Sequence, residues 1–408
     1  MPRTSTPSNP DGPGVLAPPA DIPLCVPHLG GREAEYLAEC VATNYVSSVG
    51  PFVRRFESAI AEYVGVPHAV STVNGTAALH LALLVAGVEQ DDEVLVSTLS
   101  FIAPANAVRY CGAWPVFVDA EPDHWQMSAE AVAEFLDSRC SVINGITRNR
   151  ATGRRVRAVV PVHILGHPVD MDPIIELARR FRLRIIEDAT ESLGATYRGR
   201  KVGALGDVAC LSFNGNKLIT TGGGGMVVTA DENLAKRCRY LSTQAKDDPV
   251  EYVHGAVGYN YRLTNISAAL GCAQLERIED HVTVKRRINE RYRQGIESTP
   301  GLSFPEVAPW AGPVCWLSTV LVDRARYGLD SRELMDHLAR TGIGSRPLWQ
   351  PLHLSPAHRA GVEAGATFPV AERLAADALS LPSSVGLREE EQARVVEALR
   401  EARSGADS

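Results

Sequence analysis

His-Ala-Val-Ser-Thr-Val-Asn-Gly-Thr-Ala-Ala-Leu-His-Leu-Ala-Leu-Leu-Val, residues 68–85, carries two structural periods back to back. His68–Val73 reads as a short strand, and Asn74–Gly75–Thr76 opens an apolar helix over Thr76–Ala86. The same unit recurs outward from it. Strand-like runs at Glu93–Ser97, Pro115–Asp119, Arg157–His163, Leu183–Glu187, Val208–Phe213 and Met226–Thr229 alternate with helix-like ones. The helical segments are Pro104–Arg109, Ala129–Leu136, Pro173–Phe181 and Asn233–Tyr240. Such alternation predicts an α/β fold with a mostly parallel central sheet and helices on both faces. Ligands of these sheets sit beyond the carboxyl ends of the strands.

Past residue 265 the character changes. Ile266–Ile296 has helical periodicity throughout and predicts one long connecting helix. A Pro-containing stretch and a mixed segment follow, read as a smaller α+β domain. The expected division is a tail over residues 1–24, rich in Pro, Ser and Gly, a large α/β domain over 25–265 and a connecting helix with the small domain over 266–408.

Composition narrows the function classes. The 408 residues are 45% hydrophobic and 22% charged with a net charge of −7, which offers no electrostatic footprint for nucleic acid. Basic clusters at Arg179, Arg180, Arg182 and Arg184, and at Lys285, Arg286 and Arg287, read as solvated helix faces. The eight cysteines include no Cys-x-x-Cys pair and read as reduced thiols. The longest apolar candidate, Ala77–Val88, is interrupted by His80, and the first residues lack the apolar core of a signal peptide. No membrane span is expected, and the expected location is the cytoplasm.

Three places could carry chemistry. The turn Asn74–Gly75–Thr76 presents a helix N-terminus that could cradle a phosphate, or Asn74 simply caps a buried helix. Asp188 ends an apolar strand at the mouth of the expected crevice, where it could hold a protonated heteroaromatic nitrogen or cap the next helix. Lys217, in a flexible loop running into Gly222–Gly225, suits a nucleophilic amine, or an exposed lysine on a surface hairpin. His163, His167 and Asp170 imitate metal ligands, but their spacing across a Gly-containing loop favours structural roles, and no metal site is expected. Dinucleotide, P-loop and nucleophile-elbow motifs are missing.

The order of these pieces resembles the DegT/StrS-type sugar aminotransferases, fold-type-I pyridoxal-phosphate enzymes. The resemblance rests on Gly75–Thr76, Phe101, Glu187–Asp188–Ala189, SFNGNKLITTGGGG at 212–225 and GYNYRLTNI at 258–266, and covers residue 25 onward. The nearest resemblance is to the perosamine-synthase and bacillosamine-type groups. It implies pyridoxal 5'-phosphate joined to Lys217 as a Schiff base, with Lys217 also moving the proton and Asp188 holding the ring nitrogen. It further implies Phe101 stacked on the ring, Gly75, Thr76 and Ser212 on the phosphate, and Asn260 reaching the phosphate of a partner subunit in a homodimer. Two positions depart from the family pattern: Glu191, beside the cofactor where relatives often carry His or Gln, and Gly223, where they often carry Glu or Asp. Lys217 itself separates aminotransferases from the dehydratase branch, which has His there.

The function implied is transfer of an amino group, with glutamate the expected donor, to C4 of a nucleotide-activated keto-deoxy sugar. Alternatives on the same scaffold are a cyclitol or other keto-sugar acceptor, a dehydratase and a non-catalytic cofactor-binding sensor. Arg346, Trp349 and His353, and the loop around Ser242–His254, are candidates for substrate contact.

Overall fold

The computed structural model describes residues 21–248, 250–363 and 365–406. Its main sheet has seven strands: β1 His68–Thr72, β2 Glu93–Ser97, β3 Trp114–Val118, β4 Val156–Val160, β5 Arg184–Asp188, β6 Val208–Ser212 and β7 Gly225–Thr229. Their order across the sheet is β1-β7-β6-β5-β4-β2-β3. β6, β5, β4, β2 and β3 pair in parallel, while β7 runs antiparallel to both β1 and β6. Inserting β7 in reverse makes β1 parallel in direction to β6. The carboxyl ends of β1, β5 and β6 therefore meet at one edge.

Side-chain alternation explains why both faces are covered. On β6, Val208 and Cys210 pack into one core, and Ala209 and Leu211 into another. On β7, Val227 joins the first core and Met226 and Val228 the second. Strands buried on both sides read as continuous apolar runs and demand helices above and below. The helix Gly75–Val85 is buried almost all round, with Ala78, Leu79, Leu81, Ala82 and Leu83 in the first core.

Between Glu276 and Arg277 the helix expected over Ile266–Ile296 breaks into Asn265–Leu275 and Ile278–Ile296, where Arg277 leaves helical geometry at φ −116° and ψ 10°. Ala268, Ala269, Cys272 and Ala273 before the break, and Ile278 and Val282 after it, pack in the central sheet's second core, whereas Ile288, Tyr292 and Ile296 further along serve the C-terminal core. The C-terminal core closes on an antiparallel four-stranded sheet made of Leu302–Ser303, Ser318–Val322, Arg346–Pro347 and Ala378–Leu381.

Two sequence readings need correction. The last residues of the expected 1–24 tail are built into the fold: Ile22 is buried, donates its amide to Gly342 O and accepts from Gly344 N, and Leu24 O accepts from Ser383 N. Residues 1–20 lie outside the described residues. Lys285, assigned to a solvated basic face, is 1% exposed.

One glycine controls the assembly of the crevice edge. A Cβ on Gly225 would lie 2.4 Å from the Asn74 carbonyl oxygen and 2.7 Å from the Gly75 nitrogen, both backbone atoms that cannot swing aside. Gly225→Ala should cost about 1–3 kcal/mol through overpacking. Urea unfolding should show a lowered midpoint with an unchanged slope; an unchanged midpoint would mean that the two segments are free to part.

Candidate active site

Strand register brings the crevice residues together. Thr72 and Ser212 both oppose Gly225, and Asp188 pairs with Cys210 and bridges Val162. Above this edge opens a cavity of about 520 Å³ whose lining includes Gly75, Thr76, Phe101, Asp188, Ser212 and Lys217. Asn74 and Glu191 also reach it. Of the cofactor candidates Asn260 lies elsewhere: it is exposed, and its backbone bridges Thr243.

At one end the helix Gly75–Val85 points its N-terminus into the cavity. Asn74 caps it, its side-chain oxygen accepting from Ala77 N at 2.7 Å, so the capping and lining readings are both satisfied. Among the described residues the amides of Gly75 and Thr76 meet no acceptor, as an anion-binding helix start requires. Ser212 packs so closely on Gly75 that a Cβ there would lie 2.9 Å from the serine Cβ and 3.0 Å from its Oγ. The lack of a side chain thus leaves amides and a hydroxyl around one small space.

Three acids follow one another at the end of β5 and differ in how they are compensated. Glu187 is fully buried away from the cavity. Burial raises its pKa, but His163 and the amides of Gly203, Leu205 and Gly206 outweigh this and hold it low. His163 Nδ1 accepts from Val169 N at 3.0 Å, so Nε2 carries the proton that Glu187 accepts at 3.2 Å. Asp188 faces the cavity with little compensation. Burial raises its pKa, and the Thr190 hydrogen bond at 3.1 Å and the nearby Lys217 only partly offset that. A buried carboxylate in this state favours a cationic partner. Glu191 receives the Leu165 amide at 2.9 Å on one oxygen and faces Lys217 Nζ at 3.6 Å with the other; burial pushes its pKa up to about 6.

Lys217 is not on a surface hairpin. Its loop is pinned by Phe213 N to Gly224 O, Thr221 N to Phe213 O and Lys217 N to Asn214 O, and Leu218 and Ile219 are buried. The Lys217 ammonium lies 4.1 Å from the centroid of the Trp316 ring. Phe101 is 55% exposed at the cavity wall, an apolar ring with a free face. Gly223 also lines the space, and a Cβ there would meet nothing within 4 Å.

Sequence reading missed Cys25 and Trp316, which come from the N-terminal arm and the C-terminal segment to line the same cavity. Neither sits in a motif. Arg346 and Trp349 do line it, whereas His353 is buried between Thr98, Glu372 and Phe368 and has a structural place. No described residue of 242–254 lines this cavity. His163 and His167 each use both ring nitrogens in hydrogen bonds, His167 with Pro168 O and Ala308 N.

Glu191 sets a pH dependence. Its folded pKa of about 6 lies above the ordinary 4.5, so between these values the folded chain holds more protons than the unfolded one. Stability of the cofactor-free protein should therefore fall as pH rises through that window, by about 2 kcal/mol from this group. Glu191→Gln should flatten that part of the profile in urea titrations from pH 4 to 7; an unchanged slope would assign the dependence elsewhere.

The comparisons agree with this geometry. Residues 27–400 match the model of the DegT/DnrJ/EryC1/StrS aminotransferase family. The chain is 42% identical over 383 residues to a GDP-perosamine synthase of Caulobacter vibrioides, covering 93% of this chain and 97% of that one. It is 36% identical over 355 residues to a dTDP-3-amino-3,4,6-trideoxy-alpha-D-glucose transaminase of Streptomyces venezuelae, covering 86% and 87%. The crystal structure of S. venezuelae DesV with a ketimine intermediate superposes with a TM-score of 0.81 at 34% identity, covering 91% of this chain and 94% of that one. The chain belongs to the DegT/DnrJ/EryC1/StrS aminotransferase family.

Proposed function

We propose that this chain is a pyridoxal-phosphate-dependent aminotransferase that passes an amino group from glutamate to C4 of a nucleotide-linked keto-deoxy sugar. The family membership and the nucleotide-sugar relatives support the reaction class. The observation that carries the reading is one cavity lined by the Lys217 amine, the buried Asp188 carboxylate and the open amides at Gly75 and Thr76. These residues fit the cofactor: an amine for its aldehyde, an acid for its ring nitrogen and a helix start for its phosphate.

When bound, the cofactor supplies a carbonyl that joins amines and a ring that takes up the electron pair left by proton removal. Asp188 keeps the ring nitrogen protonated, which also relieves the cost of its own burial. Lys217 Nζ carries the proton to and from the substrate carbon, with Trp316 beside it and Glu191 facing it. Gly75, Thr76 and Ser212 hold the phosphate, and Phe101 offers its free face to the ring. Arg346 supplies positive charge at the cavity for the anionic nucleotide part of the substrate. A lysine at 217 favours amino transfer over dehydration.

The same reading includes a homodimer in the cytoplasm. Asn260 is exposed beyond its own cavity, consistent with a role at the phosphate of a second copy. All eight cysteines are unpaired, consistent with a reducing compartment. No described helix is long and apolar enough to cross a membrane.

Lys217→Ala should abolish the absorbance band of the lysine-linked cofactor and lower 2-oxoglutarate release, with glutamate and a nucleotide 4-keto-6-deoxy sugar, by at least about a thousandfold. Normal turnover in that variant would remove the central claim. Asp188→Asn should slow the same assay by about 10²–10³-fold, the scale of losing one preorganised charge. An unchanged rate would refute the role given to the carboxylate.

A further inference from the structure

Lys285 lies outside the cavity, on the helix Ile278–Ile296, and is buried with no carboxylate beside it. Its ammonium has three donors, and three segments of chain provide three acceptors. They are Trp316 O at 2.8 Å, Ser383 O, and Cys25 Sγ at 3.7 Å. Burial lowers the pKa of the amine, so placing it here carries a desolvation cost. Such a cost is ordinarily avoided unless the group holds something in place.

What it holds is legible one bond further on. Trp316 Nε1 donates to Asn216 O at 2.7 Å, and Cys25 Sγ donates to the same oxygen at 3.3 Å. Asn216 immediately precedes Lys217, and the Trp316 ring lies against the Lys217 ammonium. Both residues that Lys285 touches through Trp316 and Cys25 therefore clamp the peptide from which the reactive amine springs. Ser383 completes the frame, since its amide donates to Leu24 O and its hydroxyl accepts from Ser318 N.

We infer that Lys285 is a positioning residue for the amino-transfer reaction: through Trp316 and Cys25 it fixes the Asn216 carbonyl and so the reach of the Lys217 amine. This rests on Lys217 being the lysine that joins the cofactor. A mislocated catalytic amine is costly because near-attack geometry tolerates little displacement.

The test uses the full chain stripped of cofactor and mixed with pyridoxal phosphate, following the visible absorbance that develops as the linkage forms. Lys285→Met removes the donors, and Trp316→Phe keeps a ring but removes the indole N–H. Each should slow linkage about tenfold and move the pH midpoint of the absorbance change. The double variant should stay near tenfold, because both act on one carbonyl. A role in stability alone predicts a lower melting temperature for Lys285→Met, with wild-type linkage rate and midpoint in both variants, and would overturn the inference. A hundredfold loss in the double variant would do the same. Borohydride reduction and peptide mapping of the wild type separates the two levels of the reading. Label at Lys217 supports the functional assignment whatever the variants do, and label elsewhere sinks both.

Discussion

The approach of β7 to the turn at Asn74 is the contact on which the crevice depends. A strand running against its two neighbours must enter the sheet beside the start of the helix Gly75–Val85, and only the missing side chain at 225 lets the two backbones meet. That approach sets the carboxyl ends of β1 and β6 on either side of Gly225. It also places Ser212 on Gly75, so the helix amides open toward the cavity and not toward a neighbouring side chain. The helix-start end of the cavity is thus a product of backbone packing.

Charge burial organises the other end. Glu187, Asp188 and Glu191 are all buried within a few residues, yet each meets a different environment. Glu187 is saturated by His163 and three amides and ties β5 to the 203–206 loop. Glu191 holds the Leu165 amide, in a residue whose φ of +57° a leucine rarely adopts. Asp188 is left short of donors at the point where the cavity begins. Strand alternation causes the first difference, since residues 187 and 188 point to opposite faces. A low-dielectric acid opposite an amine is what makes the pair useful for proton chemistry, because each is worth more there than in water.

The C-terminal part is more than a lid on this arrangement. Trp316, Arg346 and Trp349 bring an indole face, a guanidinium and a second ring to a cavity whose acid and amine belong to the central sheet. Buried Lys285 donates to Trp316 O, and the Trp316 indole in turn donates to Asn216 O.

Much of this was readable in the sequence. Period-two and period-3.6 runs determine the strands and helices of the central sheet, because alternating burial is a local requirement written into every strand. The quoted motifs place Gly75, Asp188, Ser212 and Lys217 at strand ends, and strand ends gather at one edge of a parallel sheet. Only the tertiary structure decided which residues from distant segments complete the site. Trp316 and Cys25 carry no local pattern, Asn260 leaves its own cavity, and Lys285 looks like any surface lysine followed by two arginines. Their places follow from long-range packing, in which a side chain's partner lies a hundred or more residues away and no periodicity records it.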